Sequence, residues 1–221
     1  MHQEVLGDLR ILSRLSLATG PGASLIADKE FDMQIFRSLV LFSGLLGLAA
    51  CSTPSAPSLS LSQFQTAKSD MQRAPTVEAT ALNDMPSSGS VQYIGKLASS
   101  ANVNNGMMGD LTMNVNFGSS NVSGNVKNLN YISEGTPSQT FGGTLSLNGQ
   151  VNGRFVNANA SGEISAVASG LTGHSNINLA LVGRFRNDNS TADLISGTMT
   201  GTGRGDFDFD ITQGTFFAAA D

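Results

Sequence analysis

Few side chains in this 221-residue chain have the chemistry for catalysis or metal binding. It holds one cysteine, Cys51, and two histidines, His2 and His174. A nucleophile needs a base within hydrogen-bond reach, and a bound transition metal needs several N, S or O ligands. One cysteine and one histidine beyond the N-terminal region assemble neither a Ser/His/Asp relay nor a multi-histidine site, so an enzyme is not expected. His174 sits in Gly170-Leu171-Thr172-Gly173-His174-Ser175-Asn176, which reads as a Gly-rich loop between strands. It is a weak ligand candidate, for haem or a metal, set against the commoner solvated loop histidine. Asp206, Asp208 and Asp210 alternate at about 7 Å spacing along a strand. Without a second oxygen cluster they read as a charged outer face and not as a calcium site. Arg184, Arg186 and Arg204 have the right chemistry for an anionic ligand, but their spacing does not join them, and ordinary surface charge is the simpler reading.

The chemistry of Cys51 is more specific. Leu48-Ala49-Ala50-Cys51 closes an apolar run that starts at Ser38 and resembles the lipobox of a bacterial lipoprotein. Signal peptidase recognition by Leu48, Ala49 and Ala50 fits the need for small residues beside the scissile bond. The Cys51 thiolate is the one side chain in the chain able to take a diacylglyceryl group as a thioether. Met33 to Arg37 supplies a short basic start, and the 13 residues Ser38 to Ala50 are too few to span a bilayer. Residues 1–32 are therefore expected to be an upstream extension before the true start at Met33, residues 33–50 a signal peptide, and Cys51 the mature N-terminus. A buried helix with a free thiol, or a plain transmembrane anchor, is the alternative. Each buried acyl methylene contributes about 0.8 kcal/mol, and two or more chains anchor stably. Ser52 is a non-acidic residue after the cysteine, which in many Gram-negative lipoproteins accompanies transfer to the outer membrane.

The 171 residues from Cys51 onward carry 8 Lys and Arg against 12 Asp and Glu. That acidic balance leaves no footprint for nucleic acid. No cysteine follows Cys51, so stability must come from burial without disulfides. Residues 51–88, rich in Ser, Pro, Ala, Thr and Gln, are expected to form the lipidated cysteine and a flexible tether. Leu59, Leu61 and Phe64 are its candidates for docking on the domain, and Thr66 to Arg73 for a turn or two of helix. Fully extended, such a tether reaches roughly 120 Å at about 3.3 Å per residue.

From Gly89 to Asp221 the pattern becomes period-2 alternation punctuated by turn residues. Eight strands are predicted, at Ser90–Ala98, Asp110–Phe117, Asn121–Leu129, Gly143–Gln150, Arg154–Ile164, Ile177–Phe185, Ala192–Thr202 and Asp206–Phe216. No window after Ser88 has helical spacing, so the connections must be hairpins and the sheet antiparallel. The expected fold is all-β, an eight-stranded antiparallel up-and-down β-barrel over residues 89–221, because closure removes exposed edges. Alternation alone does not say which face points inward. A soluble barrel puts Leu, Val, Ile and Phe inside, and a membrane barrel turns them to lipid. Few Trp and Tyr, a separate anchor and a non-aromatic C-terminus favour the soluble arrangement.

Met85-Pro86-Ser87-Ser88-Gly89-Ser90-Val91-Gln92-Tyr93-Ile94-Gly95, then Val115-Asn116-Phe117-Gly118 with Val122-Ser123-Gly124, resembles the β-barrel domain of the transferrin-binding protein B family. Gly183-Arg184-Phe185, followed by Ala192 and Gly197, resembles that domain's late motif, although Arg186 and Asn187 stand where the family has an aromatic and a glycine. The mature length suits one barrel and not the family's two lobes. The resemblance implies a surface lipoprotein whose single barrel is a binding module, with a host protein or haem as ligand and a role in iron or haem acquisition. No cofactor is assigned. A structural envelope lipoprotein with a filled barrel and no ligand is the alternative. A binder should show an open cavity or apolar patch at one barrel end, and a scaffold a closed interior and a polar exterior.

Overall fold

The computed structural model describes residues 55–168 and 171–221, all within one compact unit. The lipobox residues Leu48, Ala49, Ala50 and Cys51, the expected signal peptide and residues 1–32 lie outside the described residues.

Ten strands follow one helix: α1 (Leu61–Arg73), β1 (Ser90–Ala98), β2 (Gly106–Asn116), β3 (Asn121–Ser133), β4 (Thr136–Thr140), β5 (Gly142–Gly143), β6 (Leu145–Asn152), β7 (Phe155–Ala168), β8 (Leu171–Arg186), β9 (Leu194–Gly205) and β10 (Phe209–Ala220). Eight of them form a closed antiparallel ring in the order β1-β2-β3-β6-β7-β8-β9-β10, with β10 pairing back to β1. These are the eight strands read from the alternation. The first has the same bounds in both readings, and the others shift or lengthen by a few residues. β4 adds a short hairpin to β3, and β5 touches β7 at Gly142↔Ser165.

The ring's interior takes the apolar face of every strand. Leu111, Met113, Val115, Leu179, Leu181, Phe185 and Phe216 are all buried in one cluster, while Asn114, Asn116, Asn157 and Asn178 point out. This is the apolar-inside arrangement, opposite to that of a barrel turned toward lipid. A fully buried Leu or Phe contributes about 1.5–3 kcal/mol, so the filled ring is the main store of stability. Phe185 makes tilted and edge contacts with Phe117 at 5.5 Å and Tyr93 at 5.8 Å. The Tyr93 hydroxyl donates to the Ala192 carbonyl at 2.6 Å, and burial, with the Asp193 charge behind it, pushes this phenol up from its ordinary range. Gly183 faces Phe216, where a Cβ would come within 2.6 Å of the ring, so the glycine makes room for the aromatic. The cavity bounded by Leu97, Met107, Leu179 and Met199 measures about 10 Å³, room for one water at most.

The segment before the barrel departs from a flexible tether. Ser60 caps α1 with a capping box, its Oγ accepting from the Gln63 N–H while Gln63 Oε1 accepts from the Ser60 N–H. Phe64, Ala67 and Met71, at spacings of three and four, share one buried face. With Leu59 they pack on Ala98, Val103, Met108, Ile132 and Phe217, an apolar patch on the outside of the barrel. Pro75 opens a 3-10 turn, Ala74–Thr76, and residues 77–80 then run beside the β8–β9 end. There the Thr80 N–H donates to Phe185 O at 3.0 Å and the Asn187 N–H to Glu78 O at 3.0 Å. Ser- and Pro-rich composition concealed this docking because few apolar side chains carry it, Leu59, Phe64, Ala67, Met71 and Ala74 among the described residues.

A β-bulge in β3 sets the outer patch. Between Met108↔Asn130 and Asp110↔Lys127, β3 carries one extra residue, with Asn128 in the left-handed region at φ +48°. The extra residue returns Leu129 and Tyr131 to the interior and turns Asn130 and Ile132 outward. The buried Asn130 then accepts from the backbone N–H groups of Ser58 at 3.0 Å and Leu59 at 3.3 Å. β3 therefore continues to Ser133, four residues past the predicted end at Leu129.

Candidate functional site

The outer surface supplies the candidate site, at the barrel end where β6 turns into β7. Gly153, at φ +59°, occupies the left-handed position of that tight turn. The turn delivers Arg154 and Phe155 to the start of β7, where Val156, Ala158 and Ala160 face inward. Strict alternation therefore throws Phe155 onto the outer face that Asn157 and Asn159 share. Its register partner on β8 is Arg184, and the two guanidiniums flank the ring, Arg184 Cζ at 4.9 Å and Arg154 Cζ at 5.8 Å from its centroid. Such contacts contribute about 0.5–1 kcal/mol at exposed sites.

Around this cluster lies an open groove of about 640 Å³, lined by Leu82, Asn152, Gly153, Arg154, Phe155, Asn157 and Val182. Leu82 is 61% exposed, Val182 52% and Phe155 38%, an apolar strip that the barrel's own packing does not use. Neither Arg154 nor Arg184 forms an ion pair among the described residues. The groove can therefore offer apolar area and two uncompensated positive charges to a partner.

Of the three arginines read from the sequence, the structure brings two together. Arg184 and Arg186 project from the same face of β8, but Arg186 is committed to the fold. Its Nε donates to Ser196 Oγ and its Nη1 to Val77 O, both at 2.6 Å. Burial, and then the neighbouring Arg184 charge, lowers the Arg186 pKa. Arg204 lies towards the opposite end, paired with Asp210 at 2.6 Å.

His174 does not occupy a loop: it is the fourth residue of β8, which runs through the Gly-rich segment. The antiparallel ladder to β7, Ser165↔His174 among its rungs, holds that segment extended despite its turn-forming composition. The exposed imidazole places Nδ1 3.0 Å from Glu163 Oε1, and the His174 N–H donates to Asp206 Oδ2 at 2.8 Å. Gly173, at φ +110°, leaves the space that this carboxylate fills. Among the described residues no group of three or more His, Cys, Asp or Glu could hold a metal ion.

The three aspartates likewise do not line one strand face. Asp206 and Asp208 belong to the β9–β10 turn, where Asp208 Oδ1 accepts from the Gly205 N–H at 3.0 Å, and Asp210 alone lies within β10. Short side-chain acceptors of this kind satisfy turn amides that the ladder cannot reach.

Phe155, Arg154, Val182 and Leu82 were not singled out in the sequence. A signal was present: in Phe155-Val156-Asn157-Ala158-Asn159 the large aromatic falls on the asparagine side of the alternation, and Val182 does the same beside Leu181.

No family model matches the chain, and no curated protein matches it. Among solved structures it is similar to a crystal structure of a mutant of transferrin-binding protein B, a vaccine antigen from Haemophilus parasuis Hp5. The TM-score is 0.38 at 21% sequence identity, and the match covers 65% of this chain and 28% of that one. The chain thus spans little more than a quarter of that structure, and the barrel is defined by its own ladder of strand pairings.

Proposed function

We propose that this protein is a lipid-anchored bacterial outer-membrane lipoprotein, displayed at the cell surface, whose barrel binds a macromolecular partner through the Phe155 groove. The observation that carries the reading is the contrast between a filled interior, with its 10 Å³ cavity, and an open outer groove of about 640 Å³. The interior is packed with apolar side chains, and on the outside the groove joins exposed apolar area to unpaired cationic groups. Acylation of Cys51 supplies the anchor. A host protein is the partner class this reading favours, with iron acquisition as one setting for it.

The filled interior also favours a second reading, a structural envelope lipoprotein with no ligand. The two part in one experiment on cells expressing the protein from Met33. Acylation is read from the mass of the N-terminal peptide, and Cys51→Ala is expected to move the protein from the membrane to the soluble fraction. A photo-cross-linking amino acid at Val182 should then capture a discrete partner that one at Thr200, elsewhere on the outer face, does not. Loss of that adduct in Arg154→Glu/Arg184→Glu supports binding by the groove; no adduct, or equal adducts at both positions, supports the structural lipoprotein.

A further inference from the structure

The N-terminal segment does more than cover an apolar patch, because it fixes how far the barrel can stand from its anchor. The first described residue, Ser55, is already held, its carbonyl accepting from the Thr140 N–H at 3.2 Å. The Ser58 N–H reaches Thr140 Oγ1 at 2.6 Å and Asn130 Oδ1 at 3.0 Å. Beyond it α1 buries Phe64, Ala67 and Met71, and Arg73 Nη1 meets Asp188 Oδ1 at 2.6 Å, a contact that raises the Arg73 pKa. Residues 55–80 are thus tied to the barrel at both ends of α1 and again at the Ala79↔Arg186 bridge. Three residues separate Cys51 from Ser55, and the four steps between them, at about 3.4 Å each, extend no more than about 14 Å.

We propose that the acylated protein is strapped against its membrane by this wrap, with the end bearing the β3–β4 hairpin toward lipid and the Phe155 groove away from it. The proposal rests on Cys51 being the acylated residue. Asn130↔Thr140 is the rung of the β3–β4 ladder farthest from the hairpin turn, yet it lies nine residues along β3 from Asn121, and the groove sits at the β6–β7 turn, level with the Asn121↔Gln150 start of β3. The hairpin turn stands four residues, about 13 Å, beyond that tie, so a leash of about 14 Å just reaches lipid from the hairpin end, while the groove lies about nine residues the other way along β3 and out of its reach. Charge does not provide this proximity: Glu134, Asp206 and Asp208 make the lipid-facing end acidic, which anionic lipids repel. The covalent leash and the docked helix impose it, and the groove is thereby offered to partners beyond the anchoring leaflet.

The test uses residues 51–221, which contain every described pairing and both apolar clusters. The Cys51 thiol is coupled to a maleimide phospholipid in phosphatidylcholine vesicles, so the geometry is read whether or not cells acylate the residue. A donor dye is carried on a ketone-bearing amino acid at Ser138, in β4, or at Asn152, at the groove, with a rhodamine lipid as acceptor. Energy transfer should be roughly twofold or more higher at Ser138 than at Asn152, because strand rise of about 3.3 Å per residue separates the two positions by about 25 Å along the barrel. Equal transfer at the two positions, or little at either, would overturn the proposal. Phe64→Asp/Met71→Asp, with retained β circular dichroism, should lower transfer at Ser138 as the leash lengthens. If that variant does not fold, the two positions in the unaltered wrap decide the matter alone. An unmodified Cys51 peptide from cells would instead count against the lipoprotein reading and leave the vesicle geometry standing.

Discussion

The inside of the barrel and the patch beneath α1 are built from the same residue types and differ in what closes them. Eight strands contribute to the interior, each held by ladders on both sides, so no single strand can leave without breaking two neighbours. The outer patch of Ala98, Val103, Met108, Ile132 and Phe217 is closed by one helix and Leu59. Burial of similar chemistry thus has two different cooperativities: the interior is lost only with the whole fold, and the outer cluster can open as a local unit.

Truncating the interior should have the largest effect. Phe185→Ala removes a ring in contact with Tyr93 and Phe117, in a cluster that cannot collapse without moving the ladders. The expected loss is about 3–5 kcal/mol, measured by denaturant unfolding, with every probe shifting together. Phe64→Ala, the matching truncation under α1, can cost no more than the helix loses by undocking, expected at up to about 3 kcal/mol. Hydrogen exchange should then accelerate over Leu61–Arg73 while β7 and β8 stay protected. Equal acceleration in the strands would show that wrap and barrel open as one unit.

How much of this was legible in the sequence follows the same division. Alternation in Leu111-Thr112-Met113-Asn114-Val115 and its counterparts exposed the ring, because one buried face and one solvated face are what period 2 encodes. The wrap was faint: Phe64, Ala67 and Met71 have helical spacing, yet Ser and Pro on either side give the composition of a linker. Two features depended on tertiary context. The Gly-rich run around His174 is held extended by β7, and the outward turn of Asn130 arises from a bulge that no local signal fixes. The groove was hidden differently, since Phe155 and Val182 break the polar side of their strands by one residue each, which reads as noise until the inward face is known. As for the expected lipobox, the described residues begin four positions after Cys51.

The wrap's side-chain anchor provides a sharper test of the comparison. Asn130→Ala leaves the buried Leu59 amide without its acceptor, while the Ser58 amide keeps Thr140 Oγ1, and an unsatisfied buried group costs about 1–3 kcal/mol. The loss should fall on the wrap, with Leu59 exchanging faster and the barrel's melting temperature nearly unchanged.

The turn between β8 and β9 should give a smaller, pH-dependent effect. Partial burial works against the Asp193 charge, but the backbone N–H groups of Asp188, Asn189 and Ser190 outweigh it and hold the carboxyl below its ordinary range. A depressed folded pKa stabilises the fold above the unfolded value of about 3.9, and that contribution disappears as pH falls through the lower folded value. In Asp193→Asn the stability should therefore depend less on pH below about 4, read as a flatter acid limb in melting temperature.

The smallest expected effect is also the most discriminating. Ser60→Ala deletes the hydroxyl half of the capping box and leaves the barrel untouched, at a cost of about 1 kcal/mol of helix stability. If α1 is a separate cooperative unit, that loss appears as roughly fivefold faster exchange of α1 amides and no shift in the global unfolding midpoint. If the full loss appears in the midpoint, the helix and the ring unfold as one. In that case the wrap would be part of the barrel's cooperative fold, and its release from the outer patch would require unfolding the ring.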